Sequence, residues 1–280
     1  MSGTSIRTQV CIIGAGPAGS LLSHLLSLDG ITSVVLERAS RRHVLDRIRA
    51  GVLEQRTSTV LRDHGLGHRM DREGQSHDGT GIVWQGRKSF FIDIARHTGT
   101  RFTIYGQNKI QEDLYAAADA RDAVFIDEVD DIGVHDVTSA RPHVTYVADG
   151  QGARVDCDYV AGCDGFHGVS RSVIPSAIRT EYHKDYPFGW LGILSETPPL
   201  SDIVYAHHRR GFAMASTRGP MLSRYYLQCP LTDSVDDWPD DRFWDELMAR
   251  FPSDLTDRIV TGPSVEKSIA PLRSFVCEPM

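Results

Sequence analysis

The chain has 280 residues, 41% of them hydrophobic and 24% charged, with a formal net charge of −7. That length suits one large domain or two ordinary ones, and the balance suits a globular chain with a sizeable core. The acidic excess and scattered basic residues argue against a nucleic-acid surface, no apolar run approaches the roughly 18 residues of a membrane span, and MSGTSIRTQV carries no secretion signal.

Residues 8–13, TQVCII, read as a short β-branched strand stopped by glycine. GAGPAG follows, then SLLSHLLSL with apolar residues at helical spacing, then SVVLER, an apolar run ending in Glu37. Strand, Gly-rich turn, helix and strand in this order open a doubly wound α/β sheet. Gly14, Gly16 and Gly19 form GxGxxG: a tight turn, a close approach to a pyrophosphate and a close helix–sheet contact. Glu37, eighteen residues after Gly19, is placed to accept a hydrogen bond from a ribose hydroxyl, and the pattern fits NAD and FAD alike.

RIRAGVLEQRTSTVLRDHGL predicts an amphipathic helix after a basic loop, and SHDGTGIVWQGRKSFFIDIA alternates like antiparallel strands. VTYVADGQGARVDCDYVAGCDG predicts a hairpin turned at ADGQG whose second strand runs on into GCDG. From about Tyr182, aromatic-rich short strands such as FGWLGILSET and SRYYLQCP suggest a second layer or domain. WPDDRFWDELMARF predicts a helix with acids in its first turn, where the dipole favours them. The five cysteines form no CxxC pair and no metal-ligand spacing, so they read as small apolar residues of a cytoplasmic protein.

Two stretches carry chemistry. YVAGCDGFHGVSR delivers Asp164 to the end of an apolar strand, the edge where such sheets bind ligands; an Asp-Gly turn with a helix cap is the structural alternative. In FAMASTRGPMLSRYYLQCP (212–230), two strands joined at GPML put Ser216 and Arg218 on one face, and Arg224 and Tyr226 on one face of the returning strand. If those faces coincide, two guanidiniums, a hydroxyl and a phenol converge, a set suited to the carboxylate of a small aromatic acid. A solvated polar hairpin is the alternative. Tyr205, in DIVYAHH, reads by itself as a core tyrosine with its hydroxyl tied off.

DYVAGCDGFHGVSR resembles the second fingerprint of the flavoprotein aromatic hydroxylases. RIRAGVLEQ (47–55), YPFGWLGIL (186–194) and KSIAPLRSFV (267–276) resemble the corresponding blocks of members acting on 4-hydroxybenzoate, and the similarity extends over almost the whole chain. The resemblance implies a Rossmann-like FAD-binding domain of the glutathione-reductase type with an inserted mixed β-sheet substrate domain. The implied boundaries are 1–180 for the FAD domain, with 73–100 as an excursion to the substrate side, and 181–270 for the substrate domain. Residues 271–280 would begin a return to the first domain.

The activity implied is hydroxylation of 4-hydroxybenzoate, or a similar phenolic acid, to 3,4-dihydroxybenzoate with FAD, NADPH or NADH, and O2, by way of a flavin C4a-hydroperoxide. By the same resemblance Tyr205 meets the substrate phenol, Ser216, Thr217, Arg218 and Tyr226 the carboxylate region, and Arg224 serves active-site electrostatics and the flavin. Gly14, Gly16, Ala18, Gly19, Glu37, the loop of Arg47, Ile48, Arg49, Ala50, Gly51 and Val52, together with Gln107 and Asp164, are the implied FAD contacts. His167, Arg171 and Arg273 are tied to NAD(P)H. RASRRHVLDR (38–47) matches the coenzyme-selecting segment, but His43 replaces a tyrosine there, which leaves NADPH and NADH both open. The family expectation also includes a homodimer and a Gly-Asp motif. No Gly-Asp dipeptide occurs in these residues, which makes a C-terminally shortened chain, or a non-catalytic binding homologue, the corresponding expectation.

Overall fold

The computed structural model describes residues 5–46 and 51–278. They form two compact units, one from Met1–Ala50, Val60–Arg72 and Gly106–Arg179, the other from Gly51–Thr59, Glu73–Tyr105 and Thr180–Met280. Against the expected single excursion at 73–100 and boundary at 181, the chain crosses to the second unit over Gly51–Thr59 and Glu73–Tyr105 and passes to it finally at Thr180.

The first unit centres on a parallel sheet ordered Tyr159–Gly162, Val10–Ile13, Ser33–Leu36, Val124–Ile126. The two central strands, Val10–Ile13 and Ser33–Leu36, are buried on both sides, which is why these short runs are almost wholly apolar. Val10, Ile12 and Val35 pack with Leu22 and Leu26 of the helix Pro17–Leu28 and with Tyr115 of the helix Gln107–Asp119. Cys11, Ile13, Val34 and Leu36 point the other way, onto Val144, Tyr146 and Val155 of a second, mixed sheet. Each such aliphatic side chain contributes about 1.5–3 kcal/mol by leaving water. Burial, with the Cys157 thiol nearby, pushes the Cys11 thiol up to about 12, so it packs as a small neutral hydrophobe.

The ADGQG hairpin forms between His143–Ala148 and Gln151–Asp156, turning through Asp149 and Gly150 at φ 50° and 71°. Its second strand does not run on into GCDG. Gln151–Asp156 belongs to the second sheet and Tyr159–Gly162 to the parallel one. The chain changes sheets at Cys157–Asp158: Cys157 N donates to Pro142 O (3.1 Å), while Asp158 N and Tyr159 N both donate to Gln9 O (3.0 Å each).

The second unit is a seven-stranded sheet ordered Ser264–Glu278, Thr180–Ser195, Leu222–Pro230, Ala213–Gly219, Ile203–His207, Gly79–Trp84, Phe90–Asp93. Only Ile203–His207 with Gly79–Trp84 is a parallel pair. One face is core: Leu191, Ile193, Ala213, Ala215, Tyr225 and Leu227 pack against Phe243, Trp244 and Leu247 of the helix Asp240–Met248, whose first turn carries Asp240 and Asp241 as expected.

Two of the strands in the region expected to hold short ones are long. Thr180–Ser195 has 16 residues and pairs with the 15 of Ser264–Glu278. Prolines disguise both in the sequence: Pro187 lies where the register shifts between Asp185 and Gly189, and Pro271 sits on the edge strand, where a missing N–H is tolerated. Residues 271–278 therefore complete this sheet rather than beginning a return to the first unit. The helix expected over residues 47–66 is likewise shorter. Val52–Glu54 pairs as a strand with Phe102–Ile104, and the helix covers Gln55–Asp63. Among the described residues no helix is long and apolar enough to cross a membrane.

Candidate functional site

In the first unit the Gly-rich turn joins Val10–Ile13 to the helix Pro17–Leu28, and its glycines answer three different needs. Gly14 has φ 99°, and a Cβ there would stand 2.5 Å from Cys163 O. A Cβ on Gly19 would stand 1.9 Å from Gly14 O, so only glycine lets the helix sit this close to the turn. A Cβ on Gly16 would meet nothing within 4 Å. Gly16 instead lines a cleft of about 360 Å³ together with Ala18, Glu37, Gln107, Gln111 and Asp164. No side chain caps the helix at Gly16, nor the helix Gln107–Asp119 at Gly106. Two helix N-termini therefore bring first-turn N–H groups and positive dipole ends to the cleft, the arrangement that holds phosphates.

Glu37 braces the turn. Its Oε2 accepts from Ala15 N (2.8 Å) and its Oε1 from Ala39 N (2.9 Å). Each oxygen keeps a second acceptor position, which is what a ribose hydroxyl requires. Sequence reasoning missed Gln111. It is 2% exposed, and its Nε2 donates to Ala15 O and Ser20 Oγ (3.0 Å each). Its Oε1 is buried without a hydrogen-bond partner among the described residues. Gln111 thus ties the second helix to the glycine turn, four residues into the same helix face that Gln107 begins. An open glycine, two uncapped helix N-termini and acceptors at Glu37 fit the pyrophosphate and ribose of a dinucleotide.

The glycines of YVAGCDGFHGVSR serve a knot around Asp164. Its Oδ2 accepts from both Ser170 N and Ser170 Oγ (2.9 Å each), capping the short helix Ser170–Val173. A Cβ on Gly162 would lie 2.5 Å from Ser170 Cβ, and one on Gly168 2.0 Å from Asp164 Cγ. Gly165 turns the chain at φ 70°. The capping alternative and the ligand expectation are compatible, because one carboxylate oxygen does the capping while Asp164 still lines the cleft. His167 stands edge-on to Phe166 (4.8 Å), whose ring also lies 5.2 Å from the Arg171 guanidinium. His167 lines a small neighbouring hollow with Gly14, Glu37 and Arg38.

The stretch expected to select the coenzyme forms the helix Arg41–Asp46 and the turn before it. Arg41 is committed to the fold: it pairs with Asp119 (2.7 Å) and Asp127 (3.4 Å) and lies over the Tyr115 ring (5.0 Å). Arg42 pairs with Asp46 at 3.5 Å. Arg38 and His43 line the cleft.

In the second unit the two hairpin faces coincide. Ser216 lies opposite Arg224, and Met214 opposite Tyr226. The row continues to Tyr205 on one side and Gly192 on the other. The Arg224 guanidinium lies over the Tyr226 ring at 5.0 Å, and its Nη1 donates to Glu266 Oε1 at 3.1 Å. Its side chain is only 7% exposed. Burial lowers the Arg218 guanidinium from its ordinary value, with Arg224 pushing the same way and Tyr226 opposing. Arg218 Nε and Arg224 Nε are buried without hydrogen-bond partners among the described residues, so this face carries spare donors. Ser216 Oγ donates to Arg224 O at 3.3 Å.

Sequence reasoning missed the aromatic floor beside these cations. Trp190 stacks on Phe212 (5.0 Å, 17°) and leans on Tyr226 (5.5 Å), and Phe212 meets Tyr205 at 6.2 Å. Tyr205 is 37% exposed, not a core tyrosine. Two strand spacings, about 10 Å, separate it from Tyr226, a span that suits a ring with polar groups at opposite ends. A Cβ on Gly192 would press to 2.8 Å from Tyr226 Cε1, so this glycine makes room for the phenol.

Three expectations need separate placement. Thr217, one residue out of phase with Ser216, turns to the other face, where its hydroxyl donates to Gln75 Oε1 (3.1 Å); it leaves the carboxylate set. Arg273 lies on Ser264–Glu278 in the second unit, exposed and paired with Asp185 (2.6 Å), whereas His167 and Arg171 lie in the first. Arg47, Ile48, Arg49 and Ala50 lie outside the described residues. Gly51 is buried and its carbonyl accepts from Tyr105 N (2.7 Å), while Val52 is exposed.

Comparison with known proteins gives consistent relatives. The family described as FAD binding domain matches residues 7–280. The chain is 44% identical over 278 residues to p-hydroxybenzoate hydroxylase of Acinetobacter baylyi, covering 99% of this chain and 68% of that protein. It is 28% identical over 192 residues to a 3-(3-hydroxy-phenyl)propionate/3-hydroxycinnamic acid hydroxylase of Burkholderia vietnamiensis, covering 66% of this chain and 34% of that one. Among solved structures, p-nitrophenol 4-monooxygenase from Pseudomonas putida superposes with a TM-score of 0.81 at 16% identity, over 98% of this chain and 70% of that one.

Proposed function

This chain belongs to the FAD-binding-domain family, and we propose that it binds FAD in the glycine cleft and hydroxylates 4-hydroxybenzoate to 3,4-dihydroxybenzoate with NADPH or NADH and O2. The observation that carries the substrate assignment is the aromatic face of the second unit, with the buried Arg224 and half-buried Arg218 near one end of its central row and Tyr205 at the other. A guanidinium fork matches a carboxylate, and the exclusion of water strengthens the charge-assisted bonds.

Arg218, Ser216 and Tyr226 hold the carboxylate, and Arg224 keeps the region positive. The Tyr205 hydroxyl bonds the substrate's phenolic oxygen. A phenol of this kind titrates near ~10, and a hydrogen bond to its anion in positive surroundings favours the ionised form at lower pH. The phenolate directs electron density to the ring carbon beside it, where an electrophilic oxygen attacks. FAD held in the glycine cleft and reduced by the nicotinamide coenzyme would activate O2, one oxygen atom of which enters the ring while the other leaves as water. Toward FAD, the turn of Gly14, Gly16, Ala18 and Gly19 faces the pyrophosphate and Glu37 the ribose, with Gln107 and Asp164 as further contacts. His167 and Arg171 serve NAD(P)H, and two copies assemble as a homodimer.

The test supplies the chain with FAD, NADPH or NADH, O2 and 4-hydroxybenzoate and identifies the product. 3,4-Dihydroxybenzoate formed in step with coenzyme oxidation supports the proposal. Oxidation with no ring-hydroxylated product refutes it.

A further inference from the structure

We infer that Glu266 is a positioning residue of the aromatic-acid face, holding the Arg224 guanidinium and setting the charge of the site to suit a single carboxylate. The inference deepens, and rests on, the reading of that face as the acid-binding site.

Register places Glu266 here although it belongs to the far edge strand. Ser216, Arg224, Leu194 and Glu266 form one cross-strand row. Arg224 reaches across the intervening Leu194 strand to Glu266 Oε1 at 3.1 Å, with side chains 7% and 30% exposed. The next residue, Lys267, does not neutralise Glu266, because its ammonium is turned to Trp238 O and Asp240 Oδ1 (2.6 Å each). The charged and titratable groups facing this corner are therefore Arg224, Arg218 and Tyr226, with Glu266 itself. Two arginines and one glutamate sum to a net charge of +1.

That sum has a physical consequence. The buried Arg224 and half-buried Arg218 guanidiniums repel one another and are costly without an anion. Glu266 lets them coexist and fixes one of them, while the donors at Arg218 Nε and Arg224 Nε stay unspent. One positive charge is left for the ligand. A substrate carboxylate then completes a neutral set, and a neutral ligand leaves the site charged.

The experiment measures by calorimetry the dissociation constants of 4-hydroxybenzoate and of its neutral amide, 4-hydroxybenzamide, for the whole chain and for Glu266→Gln and Glu266→Asp. Wild type prefers the acid. Glu266→Gln, with a +2 site of nearly unchanged shape, raises the acid-over-amide ratio by about tenfold. Glu266→Asp keeps the charge and leaves the ratio within about twofold of wild type, and Glu266→Ala, which also removes the charge, raises it in the same direction if the glutamine variant does not fold. A purely structural Glu266 would weaken acid and amide equally; that outcome, or an unchanged ratio in Glu266→Gln, overturns the inference. A wild-type chain with no preference for the acid overturns the acid-site reading itself and this inference with it.

Discussion

Replacing Gly16 by alanine separates ligand binding from folding, because the glycine turn asks different things of neighbouring positions. The Gly16 backbone, at φ −67° and ψ −179°, is open to any residue, and a methyl there touches nothing within 4 Å. The loss of a favourable N-cap type costs well under about 1 kcal/mol. The methyl does enter the cleft beside Ala18 and Glu37, where the pyrophosphate must approach the backbone. Gly14→Ala is the contrast: its φ of 99° and a 2.5 Å approach to Cys163 O strain the turn and push on the Asp164 corner. Positive φ alone costs about 1–2 kcal/mol and the overlap about as much again, so a loss of roughly 3 kcal/mol is expected. The assays are thermal unfolding without FAD and fluorescence titration with FAD. Gly16→Ala should melt within about 2 °C of wild type and bind FAD at least about tenfold more weakly, while Gly14→Ala should melt about 6–12 °C lower. A Gly16→Ala chain that binds FAD normally, or that unfolds like Gly14→Ala, would refute the division of labour.

Other outcomes follow from the same geometry. Asp164→Ala removes both acceptor contacts to Ser170 and should cost about 2 kcal/mol in unfolding free energy, measured by urea titration. Thr217→Val should leave 4-hydroxybenzoate affinity within about twofold while Ser216→Ala weakens it, since the two hydroxyls face opposite sides of the sheet. Burial by itself would raise the Asp240 carboxyl, but Lys267 and Ser264 outweigh it and hold it at about 2, below its ordinary 3.8. A depressed carboxyl stabilises the fold above the unfolded value and loses that contribution as pH falls from about 4 toward 2. Melting temperature against pH should therefore fall across that window in wild type and less steeply in Asp240→Asn.

What could be read from the sequence is what depends on local spacing. Gly14, Gly16, Gly19 and Glu37 lie in one strand–turn–helix–strand unit, so their convergence follows from short-range geometry. The face shared by Ser216, Arg218, Arg224 and Tyr226 follows from a period of two across one tight turn. Thr217 shows the limit of that reasoning, because a contiguous motif cannot all point one way on a strand. Glu266 escaped because it stands 42 residues from Arg224 and meets it only through the pairing of three strands. Gln111 escaped because a glutamine on a helix face gives no sign of burial. The change of sheets at Cys157–Asp158 was hidden because both flanking runs are equally good strands, and the long strands around Pro187 and Pro271 were hidden by their prolines. Asp164 satisfied two readings together, as a cap through one oxygen and a cleft residue beside it.

The most direct test of the account is calorimetric titration of 4-hydroxybenzoate into the chain and into Arg218→Ala, with FAD titrated into both. Loss of a buried, charge-assisted carboxylate contact should weaken 4-hydroxybenzoate by about 100-fold and leave FAD affinity within about twofold. Equal affinities of the two proteins for 4-hydroxybenzoate would contradict the claim that the arginine face seats the substrate's carboxylate.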